Sequence, residues 1–199
     1  MDQQKQIRKW LRTVIPDDAE RISNAQASIY TDCVSSLSGT TSNQYKTLTR
    51  TILPRVALYK ALLTDEKLSG SAYELTHKYM IEVIGMQKYK STRVLEIIPG
   101  FYRIYSRSFL KIMRTTDLQK STQEEGKDYY NITITNCLWH NACKQFGCPE
   151  LCPAFCDVDD VTYGNLRKLG FTRTQTLGKG GECCDFHFYR KYMHSIKRT

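Results

Sequence analysis

The hydrophobic pattern of this chain changes from helical to alternating period near Gly126, and no other feature constrains the fold as much. Upstream, apolar residues recur at three- and four-residue steps, the repeat of a helix with one buried face. Residues 2 to 12 place Ile7, Trp10 and Leu11 on one side and stop near Pro16. Asp17 and Asp18 open a second helical stretch to about Ser38, where SGTTSN breaks the pattern. In TLTRTILPRVALYKALL, Ile52, Val56, Tyr59 and Leu63 predict a buried helix, with Pro54 near its first turn. Further helices are expected from Ser71 to about Met86 and, after the Pro99-Gly100 break, from Phe101 to Met113.

Beyond STQEEGKD, read as a loop, YYNITITNC alternates: Tyr130, Ile132 and Ile134 share one face, and Thr133, Thr135 and Cys137 the other. That is a strand. A short helix is expected from His140 to Phe146, ended by Gly147, and another from Cys148 or Pro149, since proline suits a first helical turn. FTRTQTL and ECCDFHFYR then form a hairpin around GKGG. The fold class expected is α+β, a helical N-terminal half packed on a small antiparallel sheet formed by the C-terminal third. We expect one domain over 1–199, with 1–120 mainly helical and 121–199 the cysteine-rich sheet part.

Seven of the eight cysteines fall between Cys137 and Cys184. Thiols oxidise and capture metals, so such density calls for a reason. The opening MDQQKQIRKW has no apolar core of a secretory signal, and no apolar run approaches the eighteen or so residues of a membrane span. The expectation is a cytoplasmic protein with reduced thiols and no membrane partner. No cofactor is expected; the alternative is zinc or iron on the cysteines with His140 or Asp159. Against a structural zinc site, the run Cys137 to Cys156 contains no C-x2-C step. The net charge of +9 is scattered, dense only in the tail RKYMHSIKRT, and no nucleic-acid module is visible. A solvated basic surface that attracts small anions is the reading, with no nucleic-acid partner. Oligomeric state has no signal.

Spacing then groups the candidates. On a helix, Cys148, Cys152 and Cys156, four apart, line one face, and Asp159 continues it. In the last strand, Cys184, Phe186 and Phe188 share the core side, while Cys183, Asp185, His187 and Tyr189 face away. A pocket between sheet and helix would collect Cys137, Cys156 and Cys184, with Asp159 and Arg173 at its rim. The plainer account makes Cys137 and Cys184 small buried hydrophobes, Asp159 a helix-terminal or ion-pair residue, Arg173 a surface charge and Asp185–His187 a surface pair.

GCPELCPAFCDVDD and FTRTQTLGKGGECCDF together resemble the signature of the L-2-amino-thiazoline-4-carboxylic acid hydrolase family. The matching positions are Cys137; Gly147, Pro149, Glu150 and Leu151; Cys156 and Asp159; Arg173, Thr176, Leu177 and Gly180; and Cys184, Asp185 and Phe186. The similarity runs from about Thr51 to Tyr189. It implies hydrolytic opening of a small, anionic sulfur/nitrogen heterocycle at its C=N carbon, giving a carbamoyl cysteine or analogue. The resemblance implies catalytic roles for Cys156, Cys184, Asp159 and Cys137, with Cys156 or Cys184 as nucleophile. It implies substrate contacts from Arg173, Thr176 and Asp185, with Asp159 or Asp185 as acid or base. Cys143, Cys148, Cys152 and Cys183 lie outside the pattern. The alternatives are a cysteine-rich metal-binding protein, or a non-hydrolytic small-molecule-binding or biosynthetic enzyme on the same scaffold.

Overall fold

The structure is a computed structural model describing residues 3–192. The basic tail beyond Tyr192 and the helix start at residue 2 lie outside the described residues. The chain forms two compact units, one of Met1–Ile81 with Leu138–Phe155, the other of Glu82–Cys137 with Cys156–Thr199.

In the first unit, α1 (Gln3–Val14) buries Ile7, Trp10 and Leu11, as its period dictates. α2 (Ala19–Ser35) follows Asp18, whose carboxylate pairs with Arg21 instead of capping the helix. α3 (Ser42–Thr47) starts with a capping box, in which Gln44 N–H donates to Thr41 Oγ1 and Thr41 N–H to Gln44 Oε1. A π-turn (Leu48–Ile52) leads into α4 (Leu53–Leu63) because Pro54 has no N–H for the regular ladder and crowds the carbonyl one turn back. Nine of the eleven α4 residues are buried, consistent with a helix apolar on nearly every face. It packs against α2, α1 and α5 (Ala72–Tyr79). Leu63, expected in the core, is 43% exposed, since it ends the helix where the chain turns outward.

Helical winding does not stop at Met86. It passes through a π-turn (Met80–Gly85) into α6 (Met86–Leu95). The sequence MQKYKSTRVL is too polar to show an apolar period, yet consists largely of good helix formers. α7 (Phe101–Thr115) follows Gly100, whose φ of 71° suits glycine. The segment read as a loop is strand β1 (Gln119–Glu125), an edge strand too polar for alternation to show. It pairs with β2 (Tyr129–Cys137), which runs directly into α8 (Leu138–Gln145). A 3-10 turn (Pro149–Leu151) precedes α9 (Cys152–Tyr163), then come β3 (Leu169–Thr172) and β4 (Cys184–Arg190).

Among the described residues the second unit carries one antiparallel sheet of order β1-β2-β4-β3. The expected strand 171–177 is therefore short: only Leu169–Thr172 pairs with β4, and Arg173 begins a loop. The sheet buries Tyr130, Ile132 and Ile134 of β2 and Cys184, Phe186 and Phe188 of β4 with Phe101, Leu110 and Met113 of α7. Tyr130 and Phe188 are cross-strand partners with stacked rings 4.8 Å apart, and Phe171 lies 4.8 Å from Phe188 on the other side. Full burial of one such ring contributes roughly 1.5–3 kcal/mol. The α+β expectation holds: helices first, then an antiparallel sheet in the C-terminal part.

Candidate active site

The loop between β3 and β4 is built by the residues of the R-x-x-T-L-x-x-G run. The Asp185 carboxylate accepts hydrogen bonds from the backbone N–H groups of Thr174 (3.0 Å) and Gln175 (2.8 Å), and from the Thr174 hydroxyl. These bonds replace ladder pairing and turn the chain out of the sheet at Arg173. Thr176, buried, accepts from Lys179 N–H at 3.2 Å and caps a 3-10 turn (Leu177–Lys179). Gly180 closes the turn at φ 85°, a conformation that disfavours any side chain. Leu177 N–H then donates to Cys184 Sγ at 3.4 Å.

This loop delivers Arg173 to α9. Its Nη2 donates to Asp160 Oδ2 (2.5 Å) and to the carbonyl of Cys156 (3.1 Å), with Asp157 at 3.9 Å. The guanidinium also lies 5.8 Å from the ring centres of both Phe171 and Phe186. Its side chain is 8% exposed, so Arg173 is neither a rim nor a surface residue. Its Nη1 is buried without a hydrogen-bond partner among the described residues. A buried donor left unpaired on a charged group is costly, and a ligand acceptor would satisfy it.

Asp159 lies one helical step from Asp160. Burial pushes its carboxyl up to about 6, against the pull of Lys88 and Arg173 and with a push from Asp160. Tyr105 and Tyr163 lie within its electrostatic reach. Burial likewise raises the Cys184 thiol to about 11; the Leu177 N–H and Arg173 oppose the shift, and Cys137 and Asp159 add to it. Cys137, Cys184, Asp159 and Arg173 therefore share one neighbourhood, and Cys156 joins it through its carbonyl bond to Arg173. Thr176 and Asp185 build the loop. In Asp185, the hydrogen bonds from Thr174 and Gln175 overcome a desolvation that would raise it, holding the carboxyl below its ordinary value.

Asp160 and Lys88 were missing from the sequence-level candidates. Asp160 was findable, since it is four residues past Cys156 on the same helical face. Lys88 comes from a polar stretch without any motif. Two expectations need correction. Cys148 precedes α9 in a non-helical conformation, so it does not continue the Cys152–Cys156–Asp159 face. His187 sits 2.6 Å from Asn131 through its Nδ1, an interaction that replaces the expected Asp185 pair.

Cys143, Cys148 and Cys152 belong to the first unit. There the thiol of Cys143 engages those of Cys148 and Cys152, and Cys152 Sγ lies 3.9 Å from His140 Nδ1. Among the described residues no disulfide forms, and no group of three or more His, Cys, Asp or Glu side chains is arranged to hold a metal ion. No helix among them is long and apolar enough to cross a membrane.

The motif-built loop thus brings the buried Arg173 within electrostatic reach of the perturbed carboxyl of Asp159 and the thiol of Cys184. The L-2-amino-thiazoline-4-carboxylic acid hydrolase family model matches residues 45–188, and the chain belongs to that family. No curated protein and no solved structure matches it.

Proposed function

We propose that the protein hydrolyses a small cyclic amidine of the 2-amino-thiazoline-4-carboxylate type, opening the ring at its C=N carbon to give a carbamoyl cysteine or close analogue. The observation that carries this reading is the buried Arg173 Nη1, unpartnered among the described residues, beside the Asp159 carboxyl with its pKa of about 6. The arginine supplies a donor for the substrate carboxylate, and Asp159 is ionised at neutral pH yet basic enough to take a proton.

In the proposed sequence, the half-buried Cys156 attacks the ring carbon and Asp159, three residues on along α9, takes its proton. The carbon–sulfur bond of the ring breaks, and the leaving sulfur receives that proton. Water then adds to the same carbon and expels Cys156, leaving the carbonyl of the carbamoyl product. Cys184 is a poor nucleophile, because a thiol raised to about 11 holds very little thiolate near neutrality. The overall reaction consumes only water.

Ring opening creates a thiol that the substrate lacks, so a thiol-reactive chromophore follows turnover directly. Turnover of 2-amino-thiazoline-4-carboxylate with a KM that rises in Arg173→Ala supports the reading. An intact protein that does not open this ring refutes it for this substrate.

A further inference from the structure

A cleft of about 810 Å³ opens in the second unit between the first half of α7, the β1–β2 turn and the end of β4. It is not the site described above. Cys137 and Cys184 stand at the opposite ends of β2 and β4, on the order of 20 Å along the strands.

Its charge is strongly one-sided. Arg103, Arg107, Lys127, Lys168, Arg190 and Lys191 line it. The lining acids are two, Glu125 and Asp128, and each is engaged: Glu125 by Arg114 at 2.8 Å and Asp128 by Arg190 at 3.5 Å. Lys168 and Lys191 donate to the carbonyls of Glu96 and Leu166, which orients them without neutralising them. Arg103, Arg107 and Lys127 are exposed and have no ion pair among the described residues. Arg103 and Arg107 are one turn apart on α7, where like charges repel. The first turn of α7 contains no acid, and Gly100 offers no side-chain cap, so the positive helix end adds to the same field.

A second feature points to a ligand acceptor. Tyr130 lines the cleft, is 1% exposed, and its hydroxyl has no hydrogen-bond partner among the described residues. Flat apolar surface lies beside the charge: Tyr129 and Tyr192 are 38% and 60% exposed, and the Arg190 guanidinium lies 4.9 Å from the centre of the Tyr192 ring. The volume suits a small molecule rather than a bare ion.

We propose that this cleft is a second binding site, specific for a phosphorylated small molecule with a flat ring, of the nucleoside diphosphate class. Arg103, Arg107 and Lys127 hold the phosphates by charge-assisted hydrogen bonds, and the tyrosines pack the ring. The excess of cations is larger than a single carboxylate needs, which favours a multiply charged anion.

Calorimetric titration of the full chain with adenosine diphosphate and with inorganic pyrophosphate tests this. Both should bind, adenosine diphosphate more tightly, and both should weaken as salt rises. Reversing charge in Arg103→Glu/Arg107→Glu should weaken both by roughly 10- to 100-fold. Tyr129→Ala should weaken only adenosine diphosphate, by about tenfold. Far-ultraviolet circular dichroism checks folding, and Lys127→Glu, on an exposed turn, serves if the helix variant does not fold. Dissociation constants above about 1 mM, binding that survives charge reversal, or equal affinity for the two probes would overturn the proposal. So would a raised KM for 2-amino-thiazoline-4-carboxylate in the charge-reversed variant, which would make the cleft part of the substrate site.

Discussion

Arg173 Nη2 donates to the main-chain carbonyl of Cys156 at 3.1 Å, so a side chain leaving β3 is tied to the backbone of α9 at the position of a candidate nucleophile. The same nitrogen reaches Asp160, leaving Nη1 buried and directed to no protein acceptor among the described residues. The planar fork thus divides its work: one arm fixes the helix, and the other is available to an anion.

Lysine cannot divide its work in this way. We expect both Arg173→Lys and Arg173→Ala to raise KM for a thiazoline carboxylate by roughly 10- to 100-fold, with the smaller change in kcat. Asp160 is 49% exposed, so its loss of a partner costs stability only modestly, about 1 kcal/mol. Steady-state kinetics with a thermal melt of each variant separates the two effects.

The Asp159 carboxyl makes two linked predictions. As a base it must be ionised, so kcat/KM should rise with pH through about 6, and Asp159→Asn should lose turnover and that limb of the profile. Its folded pKa lies above the ordinary 3.8, so the native state holds the proton more tightly than the unfolded chain does. Stability from this group is therefore present below about pH 4 and lost as pH rises through about 6. Asp159→Asn should then be more stable than the parent at pH 7 but not at pH 4, as urea unfolding at the two values will measure.

Cys156 and Cys184 should separate on substitution. Cys156→Ser should lower kcat by at least about a thousandfold, whereas Cys184→Ser should retain most turnover. Iodoacetamide offers a direct check, because Cys184, buried and neutral, should label slowly near pH 7. If Cys156→Ser turns over normally, water rather than the thiol attacks the ring.

The side of β4 that faces the core was legible because Phe186 and Phe188 flank Cys184 at period two, and burial alternates along the strand as read. The helices of the N-terminal half were legible for the same reason at period 3.6. β1 was not, because QKSTQEE is polar on both faces and pairs as an edge, leaving nothing to alternate. Nor was the carboxyl environment of Asp159, which depends on Lys88 of α6, Tyr105 of α7 and Tyr163 of α9. Spacing reports which residues share a face of one element and is silent on which elements meet. The motif positions Thr176 and Asp185 looked chemical in sequence because they accompany Arg173. In the structure they shape the backbone that carries it.

That distinction yields the last prediction. Asp185 accepts from Thr174 N–H, the Thr174 hydroxyl and Gln175 N–H, and these bonds hold its carboxyl below the ordinary 3.8. A depressed folded pKa stabilises above the unfolded value and ceases to do so as pH falls through the folded one. Asp185→Ala should therefore cost about 1–2 kcal/mol near neutral pH, with the difference from the parent shrinking in acid. The loop should lose its turn at Arg173 at the same time, raising KM without a change in the pH profile of kcat. Asp185→Asn keeps one acceptor oxygen and should recover part of the stability and part of the affinity. A proton-transfer role would show differently: Asp185→Asn would be as inactive as Asp185→Ala, and a limb of the kcat profile would disappear. Thermal melts and kcat and KM profiles of the two variants between about pH 4 and 8 distinguish the loop former from the acid.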